Sequence, residues 1–123
     1  MDQSISLSNS AELPPPAGHY SYSATVGNLT FISGILPIDE TGTALSNATF
    51  AQQTTQIFKN LECCLNNIGA TKEDLVQVRI YVTDITLWPE FNTLYAEWLG
   101  AHRPARAVAG VNELHHGCAI EVE

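Results

Sequence analysis

Between Phe50 and Leu99 the spacing of apolar residues changes twice, and this restricts the fold more than any other feature of the chain. Ile57, Leu61, Leu65 and Ile68 recur at steps of 4, 4 and 3, with Gln52, Gln53, Gln56, Lys59 and Asn60 between them, which is the spacing of one helical face. Thr49 followed by Gln52 has the form of a capping box, and Gly69 stands where a left-handed helix end is wanted. After a short turn at Thr71-Lys72-Glu73-Asp74, Val76, Val78, Ile80 and Val82 alternate with Gln77, Arg79, Tyr81 and Thr83, the period of a half-buried strand. Trp88, Phe91, Tyr95, Trp98 and Leu99 return to helical spacing, with Pro89 tolerated in the first turn and Gly100 closing it.

The flanks read as strands. Tyr20 to Val26 and Leu29 to Ser33 are rich in β-branched and aromatic residues around Gly27-Asn28, a turn pair that accepts positive φ, so a hairpin is predicted. Residues 1–17 carry Pro14-Pro15-Pro16 and read as an extended arm outside any ladder. Gly34 and Pro37 end the hairpin, Asp39-Glu40-Thr41-Gly42 is a surface turn, and Thr43 to Leu45 is a short extended piece. Arg106 to Val111 and Cys118 to Glu123 complete the order β-β-(short β)-α-β-α-β-β. That order is an α+β fold, a mixed β-sheet with two helices packed on one face. With 123 residues there is room for one domain, residues 1–123, able to fold without metal or disulfide. Helices on one face leave the other bare, and large apolar patches are rarely left in water, so a homo-oligomer is expected.

Five Lys+Arg against 13 Asp+Glu leave a net charge of −8, which argues against nucleic acid as a partner, because such binding rests on phosphate neutralisation. No Gly-rich phosphate loop, H-E-x-x-H or G-x-S-x-G is present. His115-His116 has no ligand-spaced companion and reads as a pair of loop histidines, so no metal site is expected. Cys63, Cys64 and Cys118 are odd in number and lack C-x-x-C spacing; they read as core thiols of a reduced chain. Residues 1–13 show no signal or transit pattern, and no window approaches a membrane span, which points to the cytoplasm and to no membrane partner. Asn28-Leu29-Thr30 and Asn47-Ala48-Thr49 match a glycosylation acceptor that matters only in a secreted chain.

The informative chemistry is Arg103-Pro104-Ala105-Arg106 and, 15 residues beyond Arg106, Glu121. If the closing strands pair as an antiparallel hairpin around Asn112 to Gly117, Arg106 stands opposite Glu121. Such a pair is either a cross-strand ion pair of under about 1 kcal/mol or the polar end of a site.

Gly18-His19-Tyr20, Val26-Gly27-Asn28-Leu29 with Phe31-Ile32-Ser33-Gly34, Tyr81-Val82-Thr83-Asp84, Phe91-Asn92 with Tyr95, Pro104-Ala105-Arg106 and Ile120-Glu121-Val122-Glu123 together resemble the reactive-intermediate deaminase family, RidA/YjgF-like, also known as L-PSP endoribonucleases. The resemblance covers about residues 17 to 123. It implies a chorismate-mutase-like subunit, a homotrimer with a barrel-like core and three clefts between subunits. It also implies hydrolysis of reactive enamines and imines, such as 2-aminoacrylate, to 2-keto acids and ammonia without a cofactor, as metabolite damage control. On that resemblance Arg106 binds the substrate carboxylate and Glu121 positions or activates water, with Glu123 the rival acid. Tyr20, Ser33, Gly34 and Asn92 line the cleft. The sequence departs from the family's Ser-Gly-Gln-Ile-Pro at Ser33-Gly34-Ile35-Leu36-Pro37 and from its Gly-Pro-Tyr at Gly18-His19-Tyr20, so substrate preference stays open. Two other readings of the same residues are a non-catalytic trimer that binds small carboxylates to regulate a partner, and an endoribonuclease or translation inhibitor, against which the charge weighs.

Overall fold

A computed structural model describes residues 4–123 as β1 (Ile5–Ser8), β2 (Ser23–Val26), β3 (Leu29–Ile32), α1 (Phe50–Asn67), β4 (Gln77–Val82), α2 (Trp88–Leu99), β5 (Ala105–Gly110) and β6 (Ile120–Val122). The first three residues of the expected arm lie outside the described residues. Both ends of α1 form as the local chemistry dictates. Gln52 N–H donates to Thr49 Oγ1 at 3.1 Å, Thr49 N–H donates to Gln52 Oε1 at 3.0 Å, and Gly69 follows the helix at a φ of +73°. Pro89 sits in the first turn of α2 and Gly100 closes it at a φ of +65°.

The helical stripes and the inward face of β4 make one core. Ile57, Leu61, Cys64 and Leu65 of α1, Phe91, Tyr95 and Leu99 of α2, and Val78, Ile80 and Val82 of β4 are buried, joined by Ile120 and Val122 of β6. Phe58 stacks on Trp98 with ring centres 4.3 Å apart. Trp88, at the start of α2, stays exposed. Cys63, Cys64 and Cys118 are free thiols, and burial pushes the Cys64 thiol up to about 11. Two buried amides of α1 fasten the loops that lead to the sheet. Asn60 Nδ2 donates to the Leu36 and Ile38 carbonyls at 3.2 and 2.8 Å, and Gln53 Oε1 accepts from Ala119 N–H at 2.9 Å.

Four expectations are corrected. Residues 5–8 of the arm are not free of a ladder: β1 pairs antiparallel with β2, so the hairpin β2-β3 becomes a sheet of order β1-β2-β3. The expected single mixed sheet is two, because β4, β5 and β6 form a second, of order β5-β4-β6, and among the described residues only an Ile35–Val122 bridge extends it toward the first. Thr43 to Leu45 contributes a lone Ala44–Ile38 bridge.

The closing strands do not form a hairpin. β5 runs parallel to β4, with Arg106 opposite Val78, and β6 runs antiparallel along the other edge of β4, with Glu121 opposite Tyr81. The physical reason is the helix between β4 and β5. A strand–helix–strand segment brings its second strand back parallel to the first, leaving the opposite edge of β4 open to β6.

Candidate functional site

Register decides which way each candidate faces. Arg106 shares the face of Val78 and Val108, the side covered by the helices, and its guanidinium reaches α2. Nη1 donates to Asn92 Oδ1 at 2.7 Å, and the guanidinium carbon lies 5.2 Å from the centre of the Tyr95 ring. Both partners are uncharged, so the side chain is oriented while its charge and its remaining N–H donors stay unneutralised. Among the described residues the ion pair joins Arg79 to Glu123, not Arg106 to an acid. Burial raises the Tyr95 pKa and the Arg106 charge pulls it back. The Tyr95 ring thus serves as a platform, a role its place in the buried stripe of α2 did not reveal.

Glu121 belongs to the opposite face. In β6 Ile120 and Val122 point into the core, so Glu121 and Glu123 point outward beside Tyr81 and Arg79. The Glu121 side chain lies across Gly34: a Cβ placed on Gly34 would stand 3.1 Å from Glu121 Cδ and closer still to Oε2. Ile32 and Ile35 both pack on the core, so the alternation slips by one at Ser33-Gly34. The slip, and the absence of a side chain at Gly34, make the seat for the carboxylate. Burial pushes the Glu121 carboxyl above its ordinary pKa; His115 lowers it and Glu123 raises it further. His115, read from sequence as a solvated loop residue, therefore bears electrostatically on the site. Its neighbour His116 holds a positive φ of 61°, uncommon for a side-chain-bearing residue.

Glu123 is occupied elsewhere. Its Oε1 accepts from the Tyr81 hydroxyl at 2.5 Å and lies 3.0 Å from Arg79 Nε. The other expected residues divide between these groups. Tyr20 is 47% exposed, meets Tyr22 edge to face, and lines a small pocket with Gly34, Ile35 and Leu36. Ser33 Oγ donates to the Ser21 carbonyl at 2.6 Å and its N–H donates to the Tyr22 carbonyl at 2.9 Å, so both donors are spent inside the fold. Gly34 thus adjoins both Glu121 and the pocket that Tyr20 lines, and Arg106 meets Asn92. The two groups do not meet within the chain: they lie on opposite faces of the sheet and two strand spacings apart, about 9–10 Å. Among the described residues no three His, Cys, Asp or Glu side chains cluster as metal ligands, and no helix is long and apolar enough to cross a membrane.

The sequence family described as Endoribonuclease L-PSP matches residues 10–123. A RutC family protein of Aquifex aeolicus is 38% identical over 113 residues, covering 89% of this chain and 89% of that protein. The 3-aminoacrylate deaminase RutC of Acinetobacter baylyi is 30% identical over 109 residues, covering 89% and 86%. Among solved structures, a protein of unknown function of the conserved Rid protein family, YyfA from Yersinia pestis, superposes with a TM-score of 0.93 at 30% identity over 98% of this chain and 96% of that one.

Proposed function

The chain belongs to the endoribonuclease L-PSP family, which takes in RutC and Rid proteins, and from that premise we propose that it is a cofactor-independent deaminase of small enamines and imines. The observation that carries this reading is the state of Arg106. It is held by a neutral amide and an aromatic face, with no acid among the described residues to cancel its charge. A planar, permanently charged fork so placed suits bidentate capture of the carboxylate of a 2-imino acid.

Hydrolysis then needs one water at the C=N carbon. Its oxygen bonds to that carbon as the π pair moves to nitrogen, and Glu121 takes the proton released. Glu121 hands that proton to the nitrogen, the hydroxyl's remaining proton passes to the nitrogen as well, and ammonia then leaves with the C–N electron pair as the keto C=O forms. The raised Glu121 pKa brings the carboxylate nearer to the strength wanted of a base, and such help contributes about 10²–10⁴ in rate.

Since Arg106 and Glu121 face away from each other, the full site requires a second copy of the chain, in a homotrimer with three clefts. The first sheet supports this assembly. Its register puts Ile5, Leu7, Ala24, Val26, Leu29 and Phe31 on one face, and Ile5, Leu7, Leu29 and Phe31 are 55–68% exposed. An apolar face of that kind is normally covered by another subunit.

The test is keto acid release while 2-aminoacrylate is generated in situ, with Arg106→Ala as the control. Rates equal with and without protein reject the reading. A second reading, a small-carboxylate-binding regulatory protein, draws on the Arg106 group being formed without Glu121. Saturable 2-ketobutyrate binding with no imine turnover, unaltered by Glu121→Gln, would select it. The endoribonuclease name of the family does not carry over here, because a net charge of −8 opposes RNA binding.

A further inference from the structure

Glu121 and Glu123 stand two residues apart on the same face of β6, yet their surroundings differ. Glu123 Oε1 is held by the Tyr81 hydroxyl and the Arg79 guanidinium, both carried on the neighbouring strand β4. The ladder enforces this arrangement. Arg79 and Glu123 exchange backbone hydrogen bonds at 2.7 and 2.9 Å, and Tyr81 lies directly opposite Glu121. One phenol and one guanidinium thus lean toward Glu123 and away from Glu121, which has Gly34 under it in their place.

We propose that Arg79 and Tyr81 are positioning residues of the deaminase, which tie Glu123 down and neutralise it so that Glu121 alone is free to take the proton of water. The inference rests on the deaminase reading above. Two carboxylates on one strand face repel, and the repulsion favours a proton on one of them. With Arg79 beside Glu123 the repulsion is partly cancelled, and Glu121 stays ionised to lower pH than it otherwise would. The other groups bearing on Glu121 are His115 from the turn before β6, Tyr81 from β4, and Cys118 at the foot of β6. Tyr81 is bonded to Glu123 and is therefore tested by its own variant.

The experiment is a titration of the Glu121 side-chain carboxyl by ¹³C NMR in the intact protein, beside the pH profile of kcat/KM for 2-aminoacrylate hydrolysis. The proteins compared are wild type, Arg79→Met, Glu123→Gln, the double variant and Tyr81→Phe. Arg79→Met is expected to move the Glu121 midpoint and the acid limb of the profile to higher pH, cutting the rate on that limb by about two- to fivefold. Glu123→Gln is expected to move both to lower pH. The double variant should fall between the two single variants, because Arg79 acts on Glu121 by offsetting the Glu123 charge. Tyr81→Phe should shift both in the direction of Arg79→Met. A Glu121 midpoint indifferent to Arg79 or to Glu123 would overturn the proposal while leaving deamination intact. Shifts in the NMR midpoint without any turnover would instead sink the deaminase reading, so the two failures are distinct.

Discussion

Replacing Gly34 by alanine probes the seat of Glu121 with a single methyl group. Its φ lies outside the left-handed region, so the backbone accepts an L side chain without strain. The added Cβ would fall 3.1 Å from Glu121 Cδ and nearer to Oε2, whereas ordinary carbon contacts begin at about 3.5 Å. The atoms in the way all belong to the far end of one flexible side chain, so the carboxylate must give way, by about 1 Å. A displacement of that size at a reacting group costs about 10²-fold in rate. Stability should move the other way, because the alanine restricts the unfolded chain and stabilises by about 0.4–1 kcal/mol where the conformation suits it. For a chain of this length that is a gain of about 1–4 °C in Tm. The assay is steady-state deamination beside thermal unfolding and 2-ketobutyrate binding. Expected are kcat down about 10²-fold, Tm unchanged or raised, and keto acid binding retained through Arg106. Undiminished kcat in Gly34→Ala would refute the placement of Glu121 in the reaction, and a Tm falling together with kcat would show that the glycine serves the fold instead.

Arg106→Met keeps the contact with the Tyr95 ring but removes the charge, and should weaken 2-ketobutyrate binding by about 10- to 150-fold, corresponding to about 1.5–3 kcal/mol, in calorimetric titration. Asn92→Ala leaves the charge and loses one orienting bond, so a loss below about tenfold is expected in the same titration. Glu121→Gln should raise Tm near neutral pH. Burial makes the folded state favour the protonated carboxyl, so the stability it contributes is present below the ordinary Glu pKa and is lost as pH rises through the folded value. Glutamine removes that loss, and the two unfolding temperatures should converge below about pH 4. Phe91→Ala empties a fully buried site under α2 and should cost about 3–5 kcal/mol in denaturant unfolding, loosening the helix that carries Asn92 and Tyr95.

Much of this architecture is legible in the chain. The Thr49–Gln52 box, the stripe from Ile57 to Leu65 and the alternation from Val78 to Val82 each rest on contacts within a few residues and formed as expected, whereas Val76, expected inward at the head of the alternation, is 73% exposed before β4, and Ile68, expected on the stripe, lies past the end of α1. Arg106 and Glu121 stand out through a motif order that needs no geometry. Residues 5–8 were harder: Ile5 and Leu7 gain strand character only from β2, a partner many residues away. Arg79 and Tyr81 read as the wet side of a strand, and only their cross-strand neighbour Glu123 gives them a task. Tyr95 and His115 were hidden in the same way, one inside a core stripe and the other inside a loop.

Local periods and caps thus placed the two helices and β4, while the residues that could hold an anion or a proton came from the resemblance in motif order. The fold alone decided that Arg106 and Glu121 turn to opposite faces, since a ladder can close with either neighbour and neither choice leaves a mark on the strand's own period. The crossover through α2 drew β5 to one edge of β4 and left the other to β6. That single pairing places the guanidinium against Asn92 and Tyr95 and the carboxylate over Gly34.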